Sequence, residues 1–168
     1  MNNTSDVGFR LRVKELFIDW LVISAYLLAL FAVTGLFYWA AFRGIPEFSE
    51  TGAQLIAFFA SVVPVVLIFA ALDAGGGSIG KRKAGLTLYF ERPGFGAALV
   101  RNIVKFLPWQ LGHMGTIRGM YTEFDGLSIG LELVSVAMLI ILLGMGVLRK
   151  DKRHLGDVLA GTQVRRTS

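Results

Sequence analysis

The sequence predicts an all-α membrane protein, a four-element transmembrane helix bundle that carries a small cytoplasmic β-ribbon. Two observations predict it. Uncharged runs cover residues 20–42 and 53–72, and a third run, residues 127–148, contains a single charge, Glu132. Each run reaches the ~20 apolar residues that a helix needs to cross the hydrocarbon of a bilayer. The 17 Lys and Arg residues lie between these runs and are distributed unevenly.

Composition narrows the possible classes of protein. Hydrophobic residues make up 54% of the 168-residue chain, which predicts one membrane domain. Cysteine is absent, and this excludes a disulfide, a thiolate metal site and a thiol nucleophile. In so apolar a chain, the clustered positive charge favours contact with anionic lipid over nucleic acid. The first run is too long for the core of a cleavable signal peptide, so we expect a signal anchor.

A single domain, residues 1–168, accounts for these features. We expect the chain to divide into four membrane elements, one cytoplasmic loop and a cytoplasmic tail. The membrane elements are predicted at about residues 16–42, 53–72, 102–117 and 127–148, the loop at 73–101 and the tail at 149–168.

The third element decides the topology. With three crossings and the amino terminus inside, 7 of the 17 positive charges lie outside. A fourth crossing at residues 102–117 leaves only Arg43 and Arg118 outside, as the positive-inside rule prefers. However, the uncharged part of this element is short and contains Pro108. A tilted helix lying in the inner leaflet is therefore the alternative to a full crossing.

Two segments outside the apolar runs are typical of β-strands. Residues 86–90 are rich in β-formers and are followed by Pro93-Gly94, and residues 162–165 follow Gly161. Because a single strand is not stable in water, we expect the two to pair as a ribbon. Pairing requires both strands on one side of the membrane, which an even number of intervening crossings provides.

The basic run beside the glycines is predicted to be exposed on the cytoplasmic loop. Gly75-x4-Gly80-Lys81 resembles a phosphate-binding loop, but Arg82 stands where that loop needs Ser or Thr. We therefore interpret Lys81, Arg82 and Lys83 as a basic loop that contacts lipid headgroups or a partner.

Four motifs together resemble the RDD family of small bacterial membrane proteins. They are Arg12-x6-Asp19, Gly80-Lys81-Arg82 with Gly85-Leu86, Arg101-Asn102, and the closing stretch His154-Leu-Gly-Asp-Val-Leu-Ala-Gly-Thr162. The resemblance runs from about Arg10 to Val164, and the closing stretch is its most specific part. Arg12, Asp19 and Asp157 match the Arg and the two Asp residues that give the family its name. Gly156 departs from the pattern, because the family often has another polar or small residue there. The resemblance implies a membrane domain acting as a cation/proton antiporter or a membrane-embedded regulator.

Arg12, Asp19, Arg101 and Asp157 form the predicted functional cluster. Arg12 and Asp19 are seven residues apart, so they share one helix face. Ionisable groups at membrane depth are costly and often functional, and paired carboxylates near a guanidinium could exchange a cation or proton. A structural interpretation stays open. In it, Asp19 pairs with a basic group, Arg12 or Arg101 among the candidates, to fix the helix end, and Asp157 caps a helix or closes a turn.

His113 and Glu132 are secondary candidates. With four crossings both lie in the outer half of the bundle, where they could bond to each other or mark the mouth of an ion path. Glu132 alone is also typical of an interfacial anchor.

The sequence favours a non-enzymatic function. It contains no HExxH motif and no cysteine, and we expect no enzyme activity, cofactor or metal. We expect a multi-pass plasma-membrane adaptor or regulator with both termini cytoplasmic, which forms homo-oligomers and binds anionic lipid or another membrane protein. The alternative is a cation/proton antiporter that uses Asp19, Asp157 and Arg101.

Overall fold

The computed structural model describes residues 7–167 as a mostly helical fold with one small sheet. In chain order its elements are α1 (Phe9–Phe42), α2 (Glu50–Ala74), α3 (Ile79–Lys83), β1 (Leu86–Phe90), α4 (Phe95–Thr122), α5 (Gly126–Leu148), α6 (Leu155–Ala160) and β2 (Thr162–Arg166).

Three helices of the described chain are long and apolar enough to cross a membrane: α1, α2 and α5. They contain the three apolar runs, so the prediction of helices at these places is confirmed. The first helix begins at Phe9, earlier than the predicted residue 16. Its first turns carry buried charged side chains, which a hydropathy pattern assigns to the region before the membrane.

The third predicted element is longer than expected. α4 has 28 residues rather than the 16 of residues 102–117, and it begins inside the segment assigned to the loop 73–101. Arg101 and Lys105 interrupt its apolar pattern in the sequence, but Arg101 is fully buried and Lys105 is partly buried. α4 packs against both α2 and α5, and this central position explains why it tolerates inward charge.

A proline in α2 disturbs the helix, and a tyrosine from α1 compensates. Pro64 has no N–H, so it cannot bond the carbonyl of Ala60 four residues earlier. The helix widens into a π-helical turn at Phe58–Val62, directly before the proline. The hydroxyl of Tyr26 donates to the oxygen of Ala60 at 2.5 Å, so the released carbonyl is satisfied inside the protein.

We expect Tyr26→Phe to destabilise the contact between α1 and α2. The substitution leaves the carbonyl of Ala60 without its donor, at a cost of about 1 kcal/mol or somewhat more. The apparent Tm in detergent measures this loss. Tyr38→Phe in the same helix is the matched control, since no hydrogen bond of its hydroxyl is found within residues 7–167. Equal Tm values for the two variants would contradict the assignment.

The two strands pair as the sequence predicts. β1 and β2 form an antiparallel two-stranded sheet in which Leu86 lies opposite Arg166 and Phe90 opposite Thr162. One face of the sheet is buried through Leu86, Leu88 and Val164, alternating along each strand. A second apolar core between the helices contains Phe69 of α2 and Phe106 of α4, whose rings meet edge to face with centroids 5.3 Å apart.

Candidate functional site: a buried ion-pair cluster

Eight charged side chains meet at one end of the bundle, where α1 begins, α2 ends and α4 begins. Four are cations and four are carboxylates, so their formal charges cancel. Seven are buried, and Lys105 is partly buried. Burying charge is costly unless each charge finds a partner, and equal numbers allow that. We name this set the ion-pair cluster: Arg12, Glu15, Asp19, Asp73, Lys81, Arg101, Lys105 and Asp157.

Six members of the cluster form a chain in which the sign of the charge alternates. The chain connects α1, α3, α2, α4 and α6, which are far apart in sequence. It runs from Arg12 through Glu15, Lys81, Asp73 and Arg101 to Asp157, with N–O distances of 2.8, 3.2, 3.1, 2.6 and 2.7 Å.

Arg101 is the centre of this chain. Its Nε donates to Oδ1 of Asp157 and its Nη1 donates to Oδ2 of Asp73. Asn102 donates to the same oxygen of Asp73 at 3.0 Å. The predicted approach of Arg101 to Asp157 is therefore found. Asp73 was not among the predicted residues, although it is the one acid at the end of the second apolar run.

Asp19 lies in the cluster but has partners other than those predicted. It accepts hydrogen bonds from the hydroxyl of Ser78 at 2.7 Å and from the backbone N–H of Gly80 at 2.8 Å. The nearest cation is Lys105, whose Nζ is 3.9 Å from Oδ2. The basic group near Asp19 is thus Lys105 and neither Arg12 nor Arg101, because the residues that begin α3 occupy the positions closest to this carboxylate. The interpretation that Asp19 fixes the helix end agrees with these contacts.

Arg12 bonds within its own helix and to the segment after α5. Its Nη1 pairs with Glu15, three residues later, and its Nη2 donates to the carbonyl of Lys152 at 3.1 Å. Glu15 was missed by the sequence reasoning, although spacings of three and four residues place it beside both Arg12 and Asp19 on the helix surface.

The prediction that Lys81 faces lipid or a partner is wrong. Its side chain is fully buried, and Nζ lies 3.2 Å from Glu15 Oε1 and 3.1 Å from Asp73 Oδ1. Arg82 and Lys83 are exposed, as predicted. Since consecutive helical residues point about 100° apart, one helical turn can bury the first cation of a basic run and expose the next two.

Asp157 joins the cluster to a helix cap. His154 caps α6 by accepting the N–H of Gly156 at Nδ1, and Asp157 accepts the backbone N–H of His154. Asp157 also accepts from the hydroxyl of Thr162 at 2.8 Å. Arg101, the nearest charge, holds the pKa of Asp157 well below its usual range although burial opposes this. The capping interpretation is thus found together with the ion pair.

His154 makes the stability of this cap depend on pH. Burial, aided by the positive charge of Arg101, lowers the pKa of His154 from 6.5 to about 3. Below pH 6.5 this imidazole is therefore protonated in the unfolded chain, whereas in the folded chain it stays neutral until the pH approaches 3. We expect the free energy of unfolding to fall by on the order of 2 kcal/mol between pH 6.5 and pH 5. Asp157 adds to the loss only at lower pH, since its usual pKa is 3.8.

The variant His154→Asn tests this, because Asn is a good helix cap that does not titrate. Between pH 6.5 and pH 5 the Tm of the variant in detergent should change less than that of the parent protein. At pH 8 the two should unfold at similar temperatures. The same slope in both proteins would assign the pH dependence to another group.

Ser78 is a residue whose motif the sequence reasoning overlooked. Gly76-x-Ser78-x-Gly80 has the spacing of a hydrolase nucleophile turn. In the fold the serine side chain is fully buried. Its hydroxyl donates to Asp19 and accepts from both the ammonium and the backbone N–H of Lys81. These contacts are those of a helix cap within the ion-pair cluster.

The secondary candidates lie outside this cluster and have separate partners. His113 accepts a hydrogen bond from Nε1 of Trp109 at 3.0 Å, and Glu132 accepts one from the hydroxyl of Thr116. Within residues 7–167 no hydrogen bond connects His113 to Glu132, so the expected bond between them is wrong. The bond of His113 lies within α4. The bond of Glu132 connects α5 to α4.

A cavity of about 440 Å³ adjoins the cluster between α1, α4 and α5. Its walls are mainly apolar, and its polar end contains Arg12, Glu15, Asp19, Arg101, Lys105 and His154. The described residues bring no three His, Asp or Glu side chains together in the manner of a metal site. Chemically, the arrangement is a set of hydrogen-bonded and ion-paired charges beside a largely apolar space.

Comparison with protein families decides the relationship of this chain. The model of the RDD family matches residues 7–161, which is most of the sequence. The chain belongs to the RDD family. Neither a curated protein nor a solved structure matches it. Family membership and three apolar helices together identify a membrane protein of this family.

The RDD positions have a common location in this fold. Arg12, Asp19 and Asp157 all belong to the ion-pair cluster, but none of them pairs with another. Other members of the cluster, above all Arg101, connect these three residues. The fold also explains why residue 156 is glycine. A Cβ there would lie 2.7 Å from the carbonyl oxygen of Arg101 and 2.8 Å from the ring of His154.

Proposed function

We propose that this RDD protein is a non-enzymatic membrane adaptor or regulator, held rigid by its ion-pair cluster. The observation that supports this is the alternating chain from Arg12 to Asp157, in which every carboxylate is bonded and opposite charges are equal in number. Such a network fixes the relative positions of the helix ends that it connects. Moving an ion through it would require breaking buried ion pairs, whereas presenting a surface requires only that the network stay intact.

The proposed topology has four crossings and both termini in the cytoplasm of a plasma membrane. The pairing of β1 with β2 supports it, because α4 and α5 lie between the strands. If the apolar α5 crosses the membrane, α4 must also cross to return β2 to the side of β1. At 1.5 Å per residue, the 28 residues of α4 extend about 42 Å, enough for ~30 Å of hydrocarbon.

The proposed contact surface consists of exposed cations on and near the sheet. Arg82 and Lys83 follow the buried Lys81, Arg92 follows β1, and Arg166 ends β2. None of these four belongs to the ion-pair cluster. They carry charge that can bind anionic headgroups or acidic groups of another membrane protein.

Site-specific photo-cross-linking in cells tests the adaptor proposal. A photoreactive residue at Lys83 or Arg166 should form a discrete adduct with a protein partner, and the same residue at Arg43 should not. Arg43 is the matched control because it is exposed and follows α1 at its far end. Purified protein in vesicles with a pH-sensitive dye should give no pH change when a sodium or potassium gradient is applied. Absence of an adduct at both test positions would contradict the proposal.

The second candidate is cation/proton exchange, favoured by the cavity that reaches Asp19 and Lys105. In that case a cation gradient would change the internal pH of the vesicles. Asp19→Asn would abolish the change, and Asp151→Asn, which alters a carboxylate away from the cavity, would not. This result would replace the adaptor proposal.

A further inference from the structure

The cavity beside the ion-pair cluster has two chemically different ends. Its long walls are formed by aliphatic side chains of the membrane helices, among them Ile23 and Leu27 of α1 and Leu139 and Leu142 of α5. These residues belong to the apolar runs that are predicted to lie in hydrocarbon. The opposite end is charged. The space is therefore amphipathic, and its volume of about 440 Å³ lies within the usual range of ligand pockets.

At the charged end, three cations line the cavity, Arg12, Arg101 and Lys105, against two carboxylates, Glu15 and Asp19. Glu15 bonds Arg12 and lies against Lys81, and Asp19 accepts from Ser78 and Gly80. A positively charged ligand would therefore enter an end whose formal charge is already positive.

Lys105 has spare bonding capacity. Among the described residues, Asp19 supplies the one carboxylate oxygen within ion-pair range, at 3.9 Å, which is beyond hydrogen-bond distance. Its ammonium otherwise lies over the rings of Phe69 and Phe106, 4.7 and 5.0 Å from their centroids. An ammonium has three donors. Lys105 lines the cavity, so an oxyanion there would meet unused donors.

From this geometry we propose that the cavity binds one molecule of anionic phospholipid, with an acyl chain along the aliphatic wall and the phosphate at Lys105. A soluble anion would contact the ammonium but gain nothing from the apolar wall. A neutral lipid would fill the wall and leave the ammonium unpaired. An anionic lipid satisfies both ends.

This inference deepens the proposed function by naming a lipid class, and it rests on the membrane placement proposed above. It is independent of whether a protein partner exists. Failure of the adaptor proposal would appear as missing cross-links, and failure of this inference as missing lipid retention, so the two can be distinguished.

Native mass spectrometry of the protein, extracted in mild detergent with equal amounts of phosphatidylglycerol and phosphatidylcholine, tests the site. We expect one phosphatidylglycerol to be retained in preference to phosphatidylcholine. Leu27→Trp fills the cavity and should abolish retention. Leu28→Trp is its matched control, because Leu28 is 68% exposed and does not line the cavity.

Two variants of Lys105 and one control variant test the charged end. Lys105→Gln should reduce preferential retention by about tenfold or more, the loss expected for one charge-assisted contact. Lys105→Arg should keep most of it. Lys150→Gln, which removes an exposed cation of the tail, should have no effect. Excess glycerol phosphate, the headgroup chemistry without the acyl chains, should not displace the lipid.

Three results would overturn the inference. Equal lipid retention in Leu27→Trp and the parent protein would exclude the cavity, even if Lys105→Gln failed to fold. Equal retention of phosphatidylcholine would exclude a role for the ammonium. Loss of a dimer in Leu27→Trp, with lipid unchanged, would assign the cavity to a second copy of the chain.

Discussion

Arg101→Met should be the most damaging single substitution in the ion-pair cluster. Methionine keeps much of the side-chain volume but removes the guanidinium that connects Asp73 with Asp157. Both carboxylates are fully buried, and each would lose its closest cation. Breaking a buried pair in this way costs roughly 3–5 kcal/mol, a large part of the 5–15 kcal/mol that usually stabilises a domain. We expect little folded protein in detergent and a markedly lower Tm for what remains.

Two further variants separate the loss of the ion pairs from a general effect of removing arginine. Arg149→Met removes a guanidinium from an exposed pair with Asp151 and should lower the Tm only slightly, since exposed ion pairs contribute little to stability. Adding Asp157→Asn to Arg101→Met should recover part of the lost stability, because the cluster then holds three cations and three carboxylates and Asp73 keeps its ion pair with Lys81. If Arg101→Met and Arg149→Met had equal Tm values, the cluster would not stabilise the fold.

The sequence predicted the large elements because their signals are local. An uncharged run of about 20 residues and a short β-rich segment each carry their own evidence, and both the apolar helices and the β1–β2 pairing are confirmed. α4 was predicted too short because hydropathy counts Arg101 and Lys105 as charges exposed to their surroundings. In the fold, Arg101 is neutralised by carboxylates that lie 28 and 56 residues away.

The cluster itself was only half predictable. Motif spacing identified Arg12, Asp19, Arg101 and Asp157, and all four are members. Spacing could not identify Lys81 as buried, because a run of three cations normally indicates a solvated surface. Its burial depends on carboxylates of α1 and α2 that meet it only after the helices pack. Pairing partners are a tertiary property, and spacing could not choose the basic group near Asp19 for the same reason.

Gly80→Ala should separate α1 from the rest of the protein. α1 contacts the other elements mainly through α3. A Cβ on Gly80 would overlap the carbonyl oxygen of Glu15 and lie 2.6 Å from Oδ1 of Asp19. Overpacking usually costs about 1–3 kcal/mol of stability. Here the added methyl group also breaks the hydrogen bond from the N–H of Gly80 to Asp19. We therefore expect a loss at or above the upper end of that range, measured as a fall in Tm.

Limited proteolysis can show which part of the Gly80→Ala protein is destabilised. Limited proteolysis should cut Gly80→Ala after α1 faster than the parent protein, because α1 has few other contacts to hold it. Gly96→Ala is the matched control: no atom lies within 4 Å of the added Cβ, and alanine favours a helix over glycine. That variant should be as stable as the parent or slightly more so. If Gly80→Ala were as stable as the parent protein, the close approach of α3 to α1 could not be what holds Arg12 and Asp19 in the cluster. Asp19 would then be fixed by Ser78 and Lys105 alone.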